Sequence, residues 1–160
     1  MKGGWISVLL LVAGCSSTTV KPVVWAPDTG RRVCVKENPA VVDTALLPAI
    51  QASLARNRMS AVMIPGERFE GGHAEVLMLP QEIPPGCDYV LTYSGTMWWD
   101  FTTYLNHAEF RVQDRSYRQV GFGEYHLAGH GGLDLSKWRS TESKVGPVLD
   151  ELLTGVAAAQ

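Results

Sequence analysis

The sequence predicts an α+β fold, a two-layer sandwich in which an antiparallel sheet carries two helices on one face, in the order β-α-β-loop-β-β-β-α. Three observations carry that expectation. Three segments of period-2 alternation follow one another at hairpin spacing after Cys87. Two other stretches place apolar residues at helical spacing, one before the alternating block and one after it. The chain has 160 residues, 46% hydrophobic and 19% charged, which is globular composition for one domain. A sheet with one apolar face needs a cover, and two amphipathic helices supply it.

In chain order, Arg31–Glu37 alternates with Val33 and Val35 on one side, and Asn38-Pro39 ends this first strand. Asp43 or Thr44 caps a helix that runs to about Asn57, with Leu46, Leu47, Ile50 and Leu54 on one side. Pro48 falls near its first turn, where a missing N–H costs least. Met59–Ile64 reads as a second strand. Residues 65–86 are rich in Gly and Pro and read as a long loop with a short edge strand at Val76–Leu79. The alternating block comprises Asp88–Trp98, Tyr104–Gln113 and Gln119–Ala128, with Asp114-Arg115-Ser116 as a turn. Gly129–Gly132 breaks the pattern. A last helix covers Thr141–Leu153, with Val145, Val148, Leu149, Leu152 and Leu153 in register and Pro147 tightening its early part.

The N-terminus carries an address. Lys2, the apolar run from Trp5 to Val12 and the small pair Ala13-Gly14 have the layout of an export signal, too short to span a bilayer. Leu11-Val12-Ala13-Gly14-Cys15 resembles a bacterial lipobox, in which the cysteine becomes the lipidated first residue of the mature chain. Several acyl chains, at about 0.8 kcal/mol per buried CH₂, make a lasting membrane anchor. Ser16 in place of Asp after the cysteine resembles lipoproteins sorted to the outer membrane, facing the periplasm. The expected organisation is a signal peptide over 1–14, a lipidated N-terminus and tether over 15–29, one periplasmic domain over 30–155 and a tail over 156–160. Cys34 and Cys87 form an even pair in an oxidising compartment and are expected to be a disulfide.

Alternation sorts the meander into two faces. Tyr89, Leu91, Tyr93, Met97 and Trp99 point one way, joined by Ala108, Phe110, Val112, Gly121, Gly123, Tyr125 and Leu127, and the two glycines allow a helix to approach closely. Thr92, Ser94, Thr96, His107, Glu109, Arg111, Glu124 and His126 point the other way. Glu109, Glu124 and His126 there form a candidate acid/base cluster for a hydrolase or transferase. The pattern agrees better with a solvated face of cross-strand charge pairs. Trp98, Asp100, Phe101 and Tyr104 make the densest aromatic patch and a candidate partner-binding surface.

Charge and motif exclude several classes. A net charge of -2 argues against nucleic-acid binding, which needs a basic stripe. His126-x-x-x-His130 has glycines between its histidines, His73 stands alone, and no C-x-x-C occurs, so neither a metal nor another cofactor is expected. Tyr93-Ser94-Gly95 lacks a nucleophile elbow, and Gly129–Gly132 is followed by no P-loop lysine.

Several stretches together resemble a Sbal-type family of proteobacterial lipoproteins: Cys87–Tyr93, Trp99-Asp100-Phe101, Tyr104-Leu105, Ala108-Glu109, Glu124–Leu127 and Lys137-Trp138. The resemblance implies a periplasmic lipoprotein domain and brings no activity with it. The resulting expectation is a non-enzymatic envelope adaptor, anchored by its lipid, whose partner is an envelope protein, peptidoglycan or a second copy in a homodimer.

Overall fold

The computed structural model describes residues 16–27, 30–66, 83–127 and 135–157. The order is β1 (Ser16–Lys21), β2 (Val24–Trp25), β3 (Arg32–Lys36), α1 (Leu46–Arg56), β4 (Ser60–Ile64), β5 (Tyr89–Asp100), β6 (Thr102–Asp114), β7 (Gln119–Leu127), a 3-10 turn at Leu135–Trp138, α2 (Thr141–Thr154) and β8 (Val156–Ala157). The expected helices and meander strands are all present within a few residues of their expected ends. The signal peptide with Cys15, the Val76–Leu79 strand, His73, His130 and the Gly129–Gly132 run lie outside the described residues.

One six-stranded sheet, in the order β1-β7-β6-β5-β3-β4, forms one layer. The α+β sandwich is as expected, but the sheet is mixed and not antiparallel throughout. β3 pairs in parallel with β4 and with β5, whereas β5-β6-β7-β1 is antiparallel. The reason is connectivity. A strand that leaves through a helix returns in the same direction, so β3-α1-β4 has to be parallel.

The segment read as a tether is built into the fold. β1 pairs with β7 along its whole length, from Ser16↔Leu127 to Lys21↔Phe122. The chain then dives inward. Val23 and Trp25 are buried, the Val23 amide donates to the Leu152 carbonyl at 2.9 Å, and β2 pairs in parallel with β8 inside the segment read as a C-terminal tail. The Trp25 ring meets the Tyr89 ring edge-on at 4.8 Å, and the Tyr89 hydroxyl accepts from the Ala26 amide at 2.9 Å. Ser and Thr side chains suit an exposed sheet edge as well as a linker, which is why composition alone pointed to the tether.

Both helices lie on one face of the sheet and share one core, with Leu46, Ile50, Leu54, Val148, Leu149 and Leu152 fully or nearly fully enclosed. The glycines of β7 set the spacing. A Cβ at Gly123 would sit 3.0 Å from Val148 Cγ1, and one at Gly121 would sit 2.5 Å from Val23 Cγ2 and 3.0 Å from Leu152 Cδ1. Arg56 of α1 bridges Glu142 and Asp150 of α2 across the rim. At the end of α2, Gly155 has φ 56, and a Cβ there would run into the Trp25 indole nitrogen at 2.1 Å.

A second, smaller apolar cluster lies apart from this core: Cys34, Cys87 and Val90, with Ile64 and Ile83 against them. Cys34 and Cys87 are joined by a disulfide across 53 positions, with Cα atoms 5.6 Å apart. Asp88, next in sequence, is gripped by Arg32 at 3.2 Å and Arg115 at 3.4 Å, and Arg115 also donates to the Cys87 carbonyl at 2.9 Å. The Arg32 hydrogen bond, outweighing burial, holds the Asp88 carboxyl below its ordinary range.

Two outcomes are expected. Gly121→Ala should lower stability by about 1–3 kcal/mol in urea unfolding, because Val23 and Leu152 must give way on both sides of the new methyl. Asp88 has a depressed folded-state pKa, so its stabilisation is present above the unfolded value of about 3.9 and is lost as pH falls through the folded one. Asp88→Asn should therefore be less stable than the parent at pH 7, with the gap narrowing below about pH 4. Urea midpoints of both chains at pH 7 and pH 3 check this, and an unchanged gap would refute it.

Candidate functional site

The β5–β6 hairpin is long, and its cover is shorter than it is. β5 is buried from Tyr89 to Tyr93, and a Cβ at Gly95 would meet Leu46 at the start of α1 at 2.9 Å. Beyond that level the hairpin leaves α1 behind. Met97 still packs against the core, but Trp99, two residues on and expected beside it, is 75% exposed. The alternation holds; the body that would bury Trp99 is missing. Trp98 is 42% and Phe101 95% exposed, and Trp138 on the 3-10 turn is 57% exposed.

Phe101 alone joins the two strands at the tip, with Asp100↔Thr102 the last pair before it, and it adopts φ 59. The left-handed region costs an ordinary side chain about 1–2 kcal/mol. A bulky aromatic held there in solvent is backbone strain at a surface tip, the kind of outlier that points toward function.

Tyr104 behaves differently from its neighbours. It was expected at the contact surface but is buried, and so are Leu105 and Asn106. The register explains this. Thr96 pairs with His107 and Met97 with Leu105, so Asn106 is the extra residue of a bulge and alternation lapses through it. Tyr104 instead forms the floor of a cationic nook, with Lys137 Nζ 5.3 Å and Lys144 Nζ 5.7 Å from its ring centroid. Lys144 also donates to the carbonyls of Leu105 at 3.3 Å and Lys137 at 3.2 Å. Lys137 is paired with Asp100, so the charge of the tip is neutralised from behind. Lys137 entered the sequence reading only through the resemblance stretch Lys137-Trp138, and Lys144 not at all. Lys144 lies four residues before Val148, inside the apolar stripe of α2, which was the available signal.

The polar face is assembled as alternation predicts. His107 Nε2 lies 3.0 Å from Glu124 Oε1, the His107 and His126 rings are 5.9 Å apart, and Arg111 Nε donates to Glu109 at 2.5 Å. Glu109 and Glu124 stand directly opposite each other, and each has its own partner, Arg111 or His107. Chemically this is a row of charge pairs, His107–Glu124 across the strands and Glu109–Arg111 along β6. Among the described residues, surface hollows of about 360 Å³ beside Val24, Tyr89 and Asp114 and of about 310 Å³ beside Asn38, Leu47 and Tyr93 lie elsewhere, and neither is lined by Glu109, Glu124 or His126. Among the described residues no group of three or more His, Cys, Asp or Glu side chains is placed to hold a metal ion, and no helix is long and apolar enough to cross a membrane.

No family model and no curated protein matches the chain. Its fold is similar to that of solved PelC dodecamers from Paraburkholderia phytofirmans. One, in space group P6, aligns with TM-score 0.54 and 16% identity over 91% of this chain and 100% of that one. A point variant in space group C2 aligns with TM-score 0.54 and 15% identity over 86% and 97%. At this identity the likeness is one of fold.

Exposure separates two kinds of aromatic residue at this end of the molecule. Tyr104→Ala should cost about 3 kcal/mol, and Trp99→Ala should stay within about 0.5 kcal/mol of the parent. Urea unfolding of the two variants checks the contrast, and equal losses would contradict the placement of both rings.

Proposed function

We propose that this chain is a lipid-anchored protein of the bacterial envelope, held at the outer membrane and facing the periplasm, whose domain docks and does not catalyse. The hairpin tip is its contact surface. The observation that carries the reading is Phe101, 95% exposed and in the left-handed region, beside Trp99 at 75%. Large rigid aromatics give contact area at little entropic cost and dominate binding surfaces. The lipobox-like Leu11–Cys15 supports the anchor, and the pairing of each carboxylate on the polar sheet face favours docking over acid/base chemistry.

Self-association is a second reading of the same design. The structurally similar PelC proteins are dodecamers, and the six-stranded sheet ends in β1 and β4. Strand edges and an exposed aromatic tip are both surfaces that a second copy could cover.

Phe101→Gly separates folding from docking. Glycine relieves the strained φ, so thermal stability should hold or rise by up to about 1 kcal/mol, while association at the tip should weaken at least tenfold. The readouts are a melting curve and the yield of photocrosslinks from a photoreactive residue at position 99 in intact cells. Undiminished crosslinking by the glycine variant would remove the tip from the reading.

A further inference from the structure

We propose that the occupant of the hairpin tip is the lipid surface that holds the N-terminus, so that Trp99, Phe101 and Trp138 sit in the headgroup region of the same leaflet. The proposal rests on the anchoring reading above and names the partner of that same site.

The strand register is the argument. Ser16 pairs with Leu127 at the end of β7, His126 pairs with His107, and Met97 pairs with Leu105 just beyond the bulge. The first residue of β1 therefore lies at the end of the sheet from which the aromatic hairpin projects. Three strand spacings of about 4.8 Å put β5 roughly 14 Å to the side of β1. Four residues from Met97 to Phe101, at about 3.3 Å each, carry the tip roughly 13 Å beyond that level.

Nothing slackens this geometry. Cys15 is peptide-bonded to Ser16, and Ser16 is already in the sheet, so the acyl chains of a lipidated Cys15 have no linker between them and the fold. Once those chains enter a leaflet, Ser16 is at its surface, and the tip, in the same direction and further out, meets it when the sheet stands upright. A sheet standing upright brings the tip to the interface, and a tilt toward β5 presses it further in.

The chemistry of the tip suits that place. Trp rings favour the interfacial region, where one edge is apolar and the other wet, and a Phe ring beside them buries at the headgroup/acyl boundary. Asp100 would be costly to bring close to lipid as a bare charge, and it is paired with Lys137. That contact also ties the 3-10 turn, with Trp138, to the hairpin end.

The test uses the full mature, lipidated protein reconstituted in phosphatidylethanolamine–phosphatidylglycerol vesicles. A fraction of the lipids carries bromine either near the headgroup or deep in the acyl chain. The mature chain would contain Trp25, Trp98, Trp99 and Trp138, and Trp25 is buried. We expect the shallow bromines to quench tryptophan emission at least twofold and more strongly than the deep ones, and a Trp98→Phe, Trp99→Phe, Trp138→Phe triple variant, which keeps only the buried Trp25, to lose most of that quenching. Mass spectrometry of the same sample reads lipidation at Cys15. Lipidated protein whose tryptophans are not quenched by either lipid would overturn the proposal while leaving the anchor and a protein partner in place, and photocrosslinks from position 99 to a second copy would then give the tip to self-association. A mature chain without lipid on Cys15 would overturn the anchoring reading and this proposal together.

Discussion

The distance between α2 and β7 is the constraint from which most of this structure follows. Gly121 and Gly123 strip the inward face of β7 of side chains, so Val148 and Leu152 can settle against strand backbone. That depth opens a slot beside Gly121 for Val23, whose amide reaches the Leu152 carbonyl. With Val23 seated, Trp25 follows into the wall formed by Tyr89 and Gly155. Residues 16–21, held at their C-terminal end by this insertion, have β7 as their neighbour and pair with it throughout. A closer-fitting helix thus recruits the N-terminal segment into the sheet.

The same layer of cover explains what is left out. The two helices and Val23 blanket the sheet from β1 to β3, but the β5–β6 ladder extends past the start of α1. A hairpin longer than its cover exposes both faces, and here it carries three large aromatics over four positions. Stability alone gives no reason to keep Phe101 there, because its ring is almost wholly solvated and its backbone is strained. The nook behind it is the opposite case: Tyr104, Lys137 and Lys144 are buried and knit the hairpin base to the 3-10 turn and α2. Rigid at its base and apolar at its end, the hairpin presents its rings with little conformational entropy left to lose on contact.

Local periodicity made the helices, the meander and its two faces legible, because each depends on neighbours within a few residues. The expected inward set, Leu91, Tyr93, Phe110, Val112, Tyr125 and Leu127, is the core that forms. What alternation cannot carry is length of cover and register. Trp99 keeps the inward phase of Tyr93 and Met97 and is still exposed, since nothing lies over it. Tyr104 falls at a bulge, where counting by twos loses its meaning. The parallel pairing of β3 was implicit in the β-α-β order, although the alternating block dominated the expectation for the whole sheet. Strand β1 was the least legible part: Ser16-Ser17-Thr18-Thr19 has no apolar face of its own, and only the vacant edge of β7 makes it a strand.

That last point changes what the proposed lipid anchor would mean for this molecule. With a flexible tether of a dozen residues, a lipidated domain samples many orientations and distances from its bilayer, and its surface is free to face any partner in the periplasm. With β1 paired from Ser16 onward, a chain anchored as proposed would inherit its orientation from the sheet: strand direction would fix which end faces the lipid, and hairpin length what arrives there first. In that proposed orientation the polar face with His107, Glu109 and Glu124 would run alongside the membrane normal and stay solvated, as its charge pairs require. The aromatic end would be turned toward the bilayer. An insertion of flexible residues between Cys15 and Ser16 would leave the contacts of the described domain intact and remove that coupling, so on the proposed anchoring the register of β1, more than any single side chain, would be the orienting element.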